Sequence, residues 1–145
     1  MQVAVHEGRP IWLDTAALIS FLQRDNEYAT RLRSIIEHPG IPVGISTMTF
    51  AETLAGLARF GDELALHRLR NGLKRLPNFA VASFDEESAS IAAWIRGQTG
   101  LKLPDAGIIA SARRANAVCI IGNDLRWRNK ELGIRFVSLA DLIDA

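Results

Sequence analysis

Short apolar runs alternate with longer segments of helical periodicity along the whole chain, and that alternation limits the fold more than any other feature. It is the signature of repeated βαβ units around a largely parallel sheet, an α/β fold of about five strands. The strand cores lie near Ile11 to Leu13, Val43 to Ile45, Phe79 to Ala82, Val118 to Ile121 and Arg135 to Val137. Helices are predicted over 15–23, 26–37, 49–59, 62–75, 86–97, 105–116 and 138–144, with a turn around 126–131. His38-Pro39-Gly40 stops one helix, and Pro77-Asn78 separates another from the next strand. Ser83-Phe84-Asp85-Glu86 has the form of a capping box ahead of the apolar face carrying Ile91, Trp94 and Ile95. There is no repeat, low-complexity tract or linker, and 145 residues at 48% hydrophobic content suit one domain spanning 1–145.

Within this alternation, Asp14, Glu52, Asp105 and Asp124 each sit where the chain leaves an apolar strand or enters a helix. Residues at the carboxyl ends of parallel strands share one crevice, so acids remote in sequence become neighbours in space. Two like charges about 4 Å apart repel by roughly 4 kcal/mol at an effective dielectric near 20. Four crowded carboxylates therefore take up protons or recruit a cation, and a divalent metal resolves the conflict. Ligation by oxygen without sulfur suits Mg²⁺ or Mn²⁺, whereas a structural zinc site requires a Cys/His cluster. His6, His38 and His67 show no ligand spacing.

Each acid taken alone also has an ordinary reading. Asp14 fits the cap of a helix beginning at Thr15, and Thr49-Phe50-Ala51-Glu52 fits a capping box in which Glu52 reaches back to the Thr49 amide. Asp105, following Pro104, suits a first-turn position facing the helix dipole, and Asn123-Asp124 suits a turn.

Charge adds little globally: 17 bases against 16 acids give a net charge of +1. Setting the four candidate ligands aside leaves 12 acids against those 17 bases, a balance that favours a phosphate backbone approaching a metal-neutralised crevice. Arg126-Trp127-Arg128-Asn129-Lys130 follows Asp124 and puts positive charge at the crevice edge, with Arg126 and Arg128 as candidate RNA contacts. Trp127 either packs into the domain or stacks on a base. The lone Cys119 lies in an apolar strand, which fits a reducing compartment. No stretch reaches the ~18 apolar residues of a membrane span and the first ten residues lack a secretory core, so a cytoplasmic location is expected.

The acids in this order and setting carry a family resemblance. Leu13-Asp14-Thr15, Glu52 followed by Leu54 and Gly56, Leu103-Pro104-Asp105-Ala106, and Asn123-Asp124 with Trp127 three residues on resemble PIN-domain ribonucleases, in particular the VapC-type toxins of bacterial toxin–antitoxin pairs. The resemblance covers nearly the whole chain. It implies a PIN-like three-layer α/β/α fold with a central parallel sheet, and an endoribonuclease that hydrolyses RNA phosphodiester bonds with metal-activated water. Asp14, Asp105 and Asp124 would hold the metal, with Glu52 binding a second ion or orienting water. The resemblance further implies a VapB-type antitoxin that covers the crevice and presents an arginine to it, and a homodimer. The amphipathic stretches 26–37 and 49–75 either pack on the core or serve these partners.

Two positions depart from the family pattern: Gly122 stands where relatives carry Thr or Ser, and Ala16 where they carry a small polar residue. The competing class is therefore a catalytically weakened PIN-like module that binds RNA or protein. A phosphatase of the haloacid dehalogenase type needs a second Asp two residues after the first, where this chain has Ala16, and a receiver domain needs an acidic pair it lacks.

Overall fold

The computed structural model describes residues 8–143. Its five strands are all parallel: β1 (Ile11–Leu13), β2 (Val43–Ser46), β3 (Phe79–Ala82), β4 (Cys119–Gly122) and β5 (Arg135–Ser138), in the order β3-β2-β1-β4-β5. After β1 the chain winds toward β2 and β3, then crosses back to place β4 and β5 on the other side of β1. The direction of winding thus reverses between β1 and β4, and the carboxyl ends of those two strands open a crevice.

The sheet is covered on both faces because single strands alternate their side chains between two apolar layers. Ile11, Leu13, Cys119 and Ile121 face a core closed by α1 (Thr15–Gln23), α2 (Ala29–Ile36), Leu73 of α4 (Glu63–Lys74) and α7 (Leu139–Ile143). Trp12 and Ile120 face the opposite core, built from α5 (Glu86–Thr99), α6 (Leu103–Arg114) and Trp127 of the short 3₁₀ helix η1 (Leu125–Asn129). The remaining helix, α3 (Thr47–Ala58), follows β2 directly, with Phe50 against the first core and Met48 against the second. Trp12 is large enough to need space on the neighbouring strand. Gly44 provides it, since a Cβ there would lie 2.3 Å from the indole ring.

Several expected boundaries move for local reasons. Helix α2 starts at Ala29, not 26, because the Asn26 side chain accepts from the Tyr28 amide and its own amide donates to the Ser20 carbonyl, a turn that holds the chain out of the helix. The capping box expected at Ser83 is replaced by Asp85, whose Oδ1 accepts from the Ser88 amide at 2.8 Å. Helix α3 begins two residues early, capped by the Ser46 hydroxyl, which accepts from the Thr49 amide at 3.0 Å. The Thr49 amide therefore donates to Ser46 and not to Glu52. The expected last helix reaches 144, which lies outside the described residues; its observed part is α7.

Candidate active site

Asp14, Glu52, Asp105 and Asp124 all line one crevice of about 320 Å³ at the carboxyl edge of β1 and β4, together with Thr15, Ala16, Ile108, Asn123 and Trp127. Four separate pieces of chain deliver the acids. Asp14 follows β1 and keeps the sheet pairing by donating its amide to the Ile121 carbonyl at 2.9 Å. Glu52 comes from the second turn of α3, Asp105 from the first turn of α6 behind Pro104, and Asp124 from the end of β4.

The most buried of the four is Asp14, at 5% exposure. Its Oδ1 accepts from the Ala17 amide at 2.7 Å, capping α1, and its Oδ2 accepts from the Asn123 amide at 3.3 Å. Burial nevertheless pushes its pKa up to about 6, the charges of Asp105 and Asp124 adding to the effect against the two amides. Asp105 is also raised, by burial and then by the charges of Asp124 and Glu52, with Arg126 and Lys102 pulling the other way. Glu52 Oε1 accepts from the Thr15 hydroxyl at 2.8 Å, which ties α3 to the end of β1.

The carboxylate of Asp124 has a cation of its own. Arg126 Nε donates to its Oδ1 at 2.9 Å and Nη2 to its Oδ2 at 2.6 Å, while the Arg126 amide also reaches Oδ1 at 3.1 Å. That fork holds Asp124 below the ordinary carboxylate range. Arg128 points elsewhere, donating to the Ser138 hydroxyl at 2.7 Å and to Asp141 at 3.2 Å, and it does not line the crevice. Trp127 is buried, its ring tilted against Phe136 at 5.7 Å, so one edge of the crevice is a packed wall.

Among the described residues no three carboxylate, histidine or cysteine side chains converge closely enough to cage an ion as they stand. Both oxygens of Asp124 face Arg126, and both of Asp14 accept from backbone amides. The donor set itself is all oxygen and its charges repel, which fits a hard divalent cation. His38 accepts from the Gly40 amide in a turn, His67 lies on α4, and neither lines the crevice; His6 lies outside the described residues. Cys119 is buried and its thiol is pushed up to about 11 by burial.

Three features escaped the sequence reading. Thr15 follows Asp14 in the sequence, but its bond to Glu52 depends on α3 packing beside the start of α1. The Asn123 amide is a donor to Asp14, and main-chain donors leave no trace in composition. Gly122, a departure from the family pattern in the sequence, is required by the geometry: a Cβ there would fall 2.3 Å from Asp14 Oδ2. The glycine is the space into which the Asp14 carboxylate fits.

The sequence profile of the PIN domain matches residues 11–131 of the chain. The chain belongs to the PIN domain family. Among solved structures, this PIN domain is similar to a chain of FitAcB from Neisseria gonorrhoeae, at 25% identity and a TM-score of 0.66 over 90% of this chain and 98% of that one. A toxin–antitoxin complex from Klebsiella pneumoniae contains a chain 22% identical, with a TM-score of 0.68 over 89% and 97%. A DNA-bound VapBC complex from Salmonella typhimurium contains one 20% identical, with a TM-score of 0.68 over 90% and 98%. No curated protein sequence matches this PIN domain.

Proposed function

We propose that this PIN domain is a divalent-metal-dependent endoribonuclease and the toxin of a toxin–antitoxin pair. The observation that carries the reading is the meeting of four carboxylates from four chain segments in one crevice, one of them held at a pKa of about 6. Asp14, Asp105 and Asp124 are the residues that would hold Mg²⁺ or Mn²⁺, with Glu52 beside them. The bound ion would supply charge neutralisation at phosphate and a more acidic water. Asp14 is fixed by two backbone amides, so its carboxylate is preorganised. Glu52, oriented by Thr15, is placed to accept a proton from a water in the crevice. Arg126 does not line the crevice itself but, through its bonds to Asp124, brings positive charge to the same edge, where an RNA phosphate would approach, while Arg128 is bonded to Ser138 and Asp141.

The similar solved chains named above come from toxin–antitoxin and VapBC complexes, which supports an antitoxin partner of the VapB type. An apolar cavity of about 270 Å³ between α3 and α4, lined by Leu54, Ala55, Ala58 and Leu66, fits such a partner, with Phe60 80% and Leu64 60% exposed nearby. A homodimer and a cytoplasmic location accompany this reading. No helix among the described residues is long and apolar enough to cross a membrane.

The pairing of Asp124 with Arg126 favours a second reading, a weakened module that binds RNA without cutting it. Incubating the purified chain with total RNA in Mg²⁺, Mn²⁺ or chelator separates the two. Cleavage that chelator stops supports the nuclease; retention of intact RNA under every condition supports the binder.

A further inference from the structure

Resting on the metal-site reading above, the geometry points to Arg126 as a built-in competitor of the metal, a guanidinium that must leave Asp124 before a divalent ion can bind there. Both oxygens of the carboxylate are engaged, Oδ1 by Nε at 2.9 Å and Oδ2 by Nη2 at 2.6 Å, in the two-pronged form that arginine makes with a carboxylate. An ion approaching Asp124 meets the same two oxygens and carries the same sign of charge. Two cations cannot share them without repulsion, so one displaces the other.

The surroundings make the exchange feasible. The Arg126 side chain is 72% exposed, and among the described residues Asp124 is its only ion-pair partner, so it can swing into water without leaving a buried polar group behind. Its own amide stays bonded to Asp124 Oδ1, so η1 need not unwind when the side chain departs. Asp124 is 25% exposed on its side chain and lines the same crevice as Asp105 and Asp14, both of which feel its charge. The released guanidinium remains at the crevice mouth. Occupancy by metal and availability of an arginine are thereby coupled within one short segment, Asp124 to Arg126.

The test is calorimetric titration of Mn²⁺ into the whole chain at neutral pH, for wild type, Arg126→Ala, Arg126→Lys and Lys102→Ala. Exposed ion pairs contribute little, so Arg126→Ala should bind Mn²⁺ only about two- to fivefold more tightly. Arg126→Lys keeps the charge but not the fork, and should still bind more tightly than wild type. Lys102→Ala removes a nearby cation that makes no bond to Asp124 and should gain less than Arg126→Ala. In parallel, the Arg126 Nε–H signal in a ¹⁵N spectrum, identified by its loss in Arg126→Lys, should shift on saturation with Mg²⁺. Equal affinity in wild type and Arg126→Ala, with an unmoved Nε–H signal, would overturn the inference while leaving the metal site intact. Wild type that binds no Mn²⁺ at millimolar concentration would overturn the metal site, and this inference with it.

Discussion

Burial and two neighbouring carboxylates hold Asp14 at a pKa of about 6, against 3.8 for an unperturbed side chain. The folded chain therefore binds this proton more tightly than the unfolded chain does. The stability associated with it is fully present below the unfolded value and is lost as pH rises through the folded one, between about 4 and 6. A shift of that size corresponds to roughly 3 kcal/mol. Replacing Asp14 by Asn keeps the size and removes the charge, at the cost of weakening the bond from the Asn123 amide. We predict that Asp14→Asn raises unfolding stability by about 1–2 kcal/mol at pH 8 in chelator and leaves it nearly unchanged at pH 4, read from denaturant melts. The same gain at both pH values would show that charge is not the cause. The acid positions were legible in the sequence because each stands at a strand end or helix start. The meaning of Gly122 was not, because it depends on where the Asp14 carboxylate lies on the neighbouring strand.

At the scale of elements, the strand cores were legible from their apolar runs, and the helix boundaries were less so. Ser46 starts α3 ahead of the Thr49–Glu52 pattern because its hydroxyl meets the Thr49 amide first, and this frees Glu52 for Thr15. Asp85 caps α5 in place of Ser83 for a similar reason, a stronger acceptor standing nearer the helix. The contact of Trp12 with Gly44 was invisible, since strand order cannot be read from one strand's sequence. It sets a second prediction: Gly44→Ala puts a methyl group against the buried indole and should destabilise the fold by about 1–3 kcal/mol, measured by the same melts. A neutral effect would mean that β1 and β2 can separate more readily than their register implies.

For the whole molecule, the winding reversal between β1 and β4 turns four scattered acids into one crevice, and the α3–α4 cavity shares no lining residue with it, although α3 contributes to both. Catalysis and partner binding should therefore be separable. Expression of the chain alone should arrest growth, and coexpression with the protein encoded beside it should restore growth. Phe60→Ser with Leu64→Ser should weaken that rescue while leaving RNA cleavage by the purified chain unchanged. Rescue of the double variant as complete as that of wild type would place the partner elsewhere. Whether the carboxylates act together as one metal-dependent site is decided by RNA cleavage in Mg²⁺ by wild type, Asp14→Asn and Asp105→Asn, each first confirmed as folded by melting. Wild type should cleave and neither variant should; full cleavage by either folded variant would show that the acids do not form one site.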